Sequence, residues 1–181
     1  LVDREMKLDF QQNEKVNRDQ GCGACLRGTI FTHDSKYLLI GKMGGASIAI
    51  VDVEKKKYLG DIKGMRGNLR HLIINNGWLY LSINKYGYIQ RTPLIKFIAH
   101  IEKMDEPYNN WEEVYVGKGA RTIETTSDGK FIFACINNES KLVVVNTETF
   151  EVETKIQVDS YPVGLAISKD NHWAITTSQG K

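Results

Sequence analysis

Apolar residues in this chain come in short, strand-sized runs broken by polar turns, and only one stretch departs from that pattern. From Gly119 onward the succession is "RTIETT", a turn "SDGK", "FIFACIN", a turn "NES", "KLVVVNT", a turn "ETFE" and "VETKIQV". The pattern predicts four short antiparallel strands, with Asp128-Gly129 supplying the positive-φ positions of the first hairpin.

The unit repeats. "RTIETTSDGKF" (Arg121–Phe131) aligns with "VGLAISKDNHW" (Val163–Trp173) at an offset of 42, which sets Asp128 on Asp170 and Phe131 on Trp173. "RGTIFTHDSKY" (Arg27–Tyr37) aligns with the same segment at an offset of 94, setting Asp34 on Asp128. A further copy, "LRHLIINNGWLYLS" (Leu69–Ser82), lies between them, one residue shorter, with Asn76-Gly77 in place of Asp128-Gly129. At the N-terminus, "VDREMKLD" (Val2–Asp9) superposes on "VETKIQVD" (Val152–Asp159) at an offset of 150. Four strands in about 42 residues is the length of one propeller blade. The fold class expected is therefore all-β, a β-propeller of four-stranded antiparallel blades. Residues 1–9 form the last strand of one blade, 26–62 one blade, 68–116 a second, 119–158 a third, and 161–181 a half blade. That is about 3.75 blades.

Two places break the period. Some fourteen polar, Gln/Asn-rich residues after Asp9 read as a surface loop. In the second blade, Thr92 is a good N-cap, Pro93 suits the first helical position, and Leu94, Phe97, Ile98 and Ile101 follow at helical spacing. A short inserted helix is expected at 93–104, with Lys96, His100 and Lys103 facing solvent.

Composition changes this picture little. The 181 residues are 41% hydrophobic and 25% charged, with a net charge of +2 spread along the chain. A nucleic-acid binder would show a basic stripe, and none exists. No apolar run is long enough to span a membrane. The chain begins with Leu1 and not Met, so a processed or truncated N-terminus is expected.

Cys22 and Cys25 form a C-x-x-C. Haem attachment would need His where Leu26 stands, and zinc would need a second ligand pair. A thioredoxin-type site would open a helix after a strand, whereas this motif sits in a Gly-rich loop before a strand. The pair is expected to be a local disulfide or two idle thiols. No cofactor or metal is called for, since no G-x-S-x-G, P-loop or H-E-x-x-H is present.

The stretches "YPVGLAISKD", "FIFACINN", "LVVVNTET" and "IAIVDVEKKK" resemble the YVTN β-propeller repeats over about 140 of the 181 residues. The resemblance implies a propeller, commonly seven-bladed, exported, and facing the periplasm or the cell surface in bacteria. Its motif residues are structural, so it carries over no catalytic residue. Seven blades need about 290 residues or more. The chain is accordingly expected to be part of a longer protein.

Propeller sites gather at the mouth of the central channel, where the innermost strands begin. Arg27, Arg70 and Arg121 hold equivalent places there, and only Val163 breaks the set. Three guanidinium groups would form an anion-binding funnel, since each is a rigid fork of donors matched to carboxylate or phosphate. The bland alternative is that each arginine ties adjacent blades through a backbone carbonyl or a nearby carboxylate. Glu124 replaces an apolar residue of the other copies. It is a weak candidate for general base or metal ligand, with pairing to Arg121 as the alternative. Tyr37, Trp78, Phe131 and Trp173 recur at one repeat position and are expected to pack between blades. The leading functional expectation is a non-catalytic exported binding module for a protein or a small anionic or carbohydrate ligand. The alternative is a hydrolase- or lactonase-like enzyme, or a propeller subunit of a redox enzyme.

Overall fold

The computed structural model describes residues 25–104 and 107–180. The strand expected at 1–9 and Cys22 lie outside the described residues. Among those described, three sheets have four antiparallel strands in chain order and one has two. The first holds β1 (Leu26–Phe31), β2 (Tyr37–Lys42), β3 (Ser47–Asp52) and β4 (Lys57–Lys63). The second holds β5 (Leu69–Asn75), β6 (Trp78–Ile83), β7 (Tyr88–Pro93) and β8 (Glu112–Tyr115). The third holds β9 (Ala120–Thr125), β10 (Phe131–Ile136), β11 (Lys141–Asn146) and β12 (Glu151–Gln157), and β13 (Pro162–Ile167) pairs with β14 (Ala174–Ser178). The first strands β1, β5, β9 and β13 lie against one another from sheet to sheet. They form the inner wall of a β-propeller.

Stacking of blades explains the apolar runs. Middle strands are covered on both faces, so β3 is buried at every position and β11 at its four central ones. Leu39, Ile48, Ile50 and Ile62 of the first blade interlock with Leu69, Leu72, Leu79 and Leu81 of the second. Ile73, Tyr80 and Ile89 of the second meet Ile123, Ile132, Ala134 and Val143 of the third. Full burial of one such aliphatic side chain is worth roughly 1.5–3 kcal/mol, so these seams dominate the cohesion of the fold. The recurring aromatic position fits this only in part. Tyr37 is buried in the first seam and Trp78 packs partly against the second, but Trp173 is 70% exposed.

The repeated hairpin has a common cause. Thr32 Oγ1 donates to Asp34 Oδ1 at 2.6 Å, Thr126 to Asp128 at 2.6 Å and Ser168 to Asp170 at 2.5 Å. Each carboxylate also accepts the N–H two residues on, from Lys36, Lys130 and His172. The left-handed residue is the one after the aspartate: Ser35, Gly129 or Asn171. The aspartate is thus the acceptor that organises the turn and not, as expected for Asp128, one of its positive-φ positions. The shortened copy differs, because Asn76 and Gly77 both take positive φ in a tight two-residue turn.

The inserted helix is shorter than expected. α1 spans Leu94–Ile101, and no side chain caps it. Strand pairing of Pro93 with Trp78 persists through the proline, which remains extended with ψ 123°. Thr92 is therefore still strand and buried, and its hydroxyl shares a 2.5 Å hydrogen bond with Tyr108 Oη in place of capping. Leu94, Phe97 and Ile101 bury their expected face in the first seam. Lys96 and Lys103 are exposed, whereas His100 is half-buried, its ring edge-on to Tyr108 at 5.2 Å. The returning chain is anchored on the first blade, where the Tyr108 N–H donates to Lys63 O at 2.8 Å.

Candidate functional site

Arg27, Arg70 and Arg121 are each the second residue of an innermost strand, as Val163 is of β13. At this place the pairing register slips by one residue in all four blades. The slips lie between Leu26 and Thr29, between Leu69 and His71, between Ala134 and Ile136 opposite Arg121, and between Pro162 and Gly164. A bulge adds one residue to a strand, bends it and re-aims a side chain. Four equivalent bulges bring the three arginines together, and they line one cavity of about 460 Å³.

Amide side chains complete that lining. The residue following each second strand occupies a second equivalent position, filled by Met43, Asn84, Asn137 and Gln179, and all four face the cavity with Asn138. Their backbone N–H groups donate to the residue just before the innermost strand of the same blade, Cys25, Asn68, Gly119 and Tyr161. Asn84 Nδ2 then reaches Ala120 O of the next blade at 3.0 Å, and Asn137 Nδ2 reaches Pro162 O at 3.2 Å. Ser82 Oγ to Arg121 O and Thr122 Oγ1 to Val163 O, both 2.5 Å, tie the same blades. The blade-tying role weighed for the arginines therefore falls to amides and hydroxyls. The sequence signal for this role is the repeat itself, in which Asn84 and Asn137 follow equivalent strands.

Among the described residues the three arginines have no side-chain partner. Among the described residues, no carboxylate comes within ion-pair distance of Arg27, Arg70 or Arg121, and none lines the cavity. Nε of Arg27 and of Arg121 is buried and makes no hydrogen bond. Burial, together with repulsion from Arg121 and Arg27, lowers the Arg70 pKa to about 10. Burial and Arg27 lower that of Arg121 as well. A half-buried guanidinium without an acceptor is costly, and three facing one another add mutual repulsion. An anion in the cavity would relieve both.

Glu124 lies elsewhere. Its carboxylate accepts the Thr125 N–H at 3.0 Å, it neither lines the cavity nor pairs with Arg121, and it lies on the strand face of Thr122, toward β13. Among the described residues, no group of three His, Cys, Asp or Glu could hold a metal. Cys135 is a buried free thiol whose pKa burial raises to about 11, which favours the protonated thiol near neutral pH.

No protein-family model matches the chain. It is 23% identical over 204 residues to Antigen Lp49 of Leptospira interrogans, covering 97% of this chain and 39% of that protein. Among solved structures it resembles hydrazine synthase of Kuenenia stuttgartiensis, with a TM-score of 0.73 and 17% identity, over 87% of this chain and 43% of that one. A 6-phosphogluconolactonase-like protein of Bacteroides uniformis gives a TM-score of 0.68 at 16% identity, over 85% and 47%. These likenesses show the propeller fold. The chain spans less than half the length of each of these proteins.

Proposed function

We propose that this chain is a non-catalytic binding module of an exported propeller of the YVTN type, and that its channel mouth holds an anionic ligand between Arg27, Arg70 and Arg121. The observation that carries this reading is the clustering of three guanidinium groups in one cavity with no acidic partner among the described residues. Export draws support from the likeness to a protein named as an antigen. Among the described residues no helix is long and apolar enough to cross a membrane. The share of its relatives that the chain spans supports a larger ring, of which these blades are a part.

The experiment is calorimetric titration of pyrophosphate into the protein at low ionic strength. Arg121→Ala and Arg70→Ala are each expected to weaken binding at least tenfold while leaving the β-sheet circular dichroism intact. Affinity in both variants equal to that of the native protein would sink the reading. The catalytic alternative draws on the lactonase-like neighbour and on Glu124. It requires that Glu124→Gln abolish a hydrolytic activity, whereas the binding reading requires that Glu124→Gln leave pyrophosphate affinity unchanged.

A further inference from the structure

We infer that the ligand of the arginine mouth is a small multivalent anion that also carries a hydroxyl donor, a chemistry shared by hydroxylated polycarboxylates and by phosphate esters of polyols. This rests on the anion-binding reading above and goes further, to what the ligand must present.

The charge follows from the number of guanidinium groups. Three arginines without a carboxylate in a cavity of about 460 Å³ put up to three positive charges around one ligand. That volume lies in the range of small-molecule sites. A single carboxylate could engage one guanidinium fork bidentately and would leave the other two repelling each other. An anion of charge −2 or −3 meets two or three guanidinium groups at once, none of which has an acidic partner among the described residues.

The hydroxyl follows from the amides. Asn84 and Asn137 each present an amide group to the cavity, and each Nδ2 spends one of its two N–H groups on Ala120 O or Pro162 O of the neighbouring blade. Each keeps one N–H and an Oδ1 that accepts from no donor among the described residues. A ligand consisting of anionic oxygens alone would leave both Oδ1 atoms without a donor. A ligand hydroxyl can donate to Oδ1 while its acid groups take the guanidinium donors. The wall therefore sets guanidinium donors on the innermost strands beside amides one strand outward, which offer acceptors as well as donors.

Two ligand pairs, each differing by hydroxyl groups alone, test this by calorimetry at low ionic strength: citrate against tricarballylate, and glycerol phosphate against propyl phosphate. Acetate serves as the monovalent control and pyrophosphate as the anion without a hydroxyl. In at least one pair the hydroxylated member is expected to bind about tenfold or more tightly than its partner, because a site built to pair a hydroxyl discriminates strongly against its loss. Acetate is expected to bind at least a hundredfold more weakly than the better ligand. The pair that responds identifies the acid as carboxylate or phosphate. Equal binding within both pairs would overturn the hydroxyl assignment, and acetate equal to citrate would overturn the multivalent one. In either case anion binding itself would stand. If pyrophosphate and all the others fail to bind, the anion-binding function falls along with the inference.

Discussion

Arginine does opposite work at two depths of this protein. Arg91 is buried in the second seam, sandwiched between the Trp78 ring at 4.3 Å and the Phe150 ring at 4.0 Å. Its Nε donates to Glu112 at 2.8 Å and a terminal nitrogen donates to Thr147 O of the next blade. Arg91→Ala is expected to cost about 2–3 kcal/mol, read as a fall in the urea midpoint with an unchanged slope. Arg70 has no such partners among the described residues; it shares its repeat position with Arg27 and Arg121, whereas the equivalents of Arg91 in the other complete blades, Ile50 and Val144, are apolar. His71, the next residue, is held neutral, since burial lowers its pKa below its ordinary 6.5 and its Nδ1 has no partner. The unfolded chain takes up a proton there as pH falls below 6.5 and the folded one resists. Stability should therefore be full above that pH and decline below it, and His71→Gln should flatten the decline in urea melts between pH 5 and pH 7.

At the scale of elements, the Ser/Thr-x-Asp turn is what makes the repeat visible in the sequence. Thr126 is 5% exposed, donates to Asp128 and accepts the Phe131 N–H at 3.1 Å. Thr126→Val keeps the shape and removes both bonds, with an expected loss of about 1–2 kcal/mol in thermal unfolding. The insertion docks through Gly64, whose φ is +110° and where a Cβ would stand 2.1 Å from Tyr108 O. Gly64→Ala should therefore destabilise by about 1–3 kcal/mol, with quicker proteolysis of the segment after α1 as a second readout. Strands and turns were legible because each is set by a local pattern, strand-sized apolar runs and a fixed aspartate. The bulges were not: an extra residue in a strand leaves the surrounding run of residue types looking regular. Nor was the loss of the Thr92 cap, since its hydroxyl was claimed by Tyr108, sixteen residues along the chain.

The whole molecule joins stable seams to a mouth that works against stability. Deep burial at the blade interfaces offsets three half-buried guanidinium groups that have no acidic partner among the described residues. Sites held ready for a ligand commonly trade stability for function in this way. The sequence located the arginines, but the absence of acceptors depends on which side chains the bulges and the neighbouring blades bring near, which no single strand reveals. The most direct measurement is the thermal unfolding of the native protein and Arg70→Met at low ionic strength, with and without pyrophosphate. Removing the central, most strongly repelled guanidinium is expected to raise the unfolding temperature of the unliganded protein, and the anion is expected to stabilise the native protein and not the variant. A variant that melts lower than the native protein without the anion, yet gains as much from it, would contradict the account.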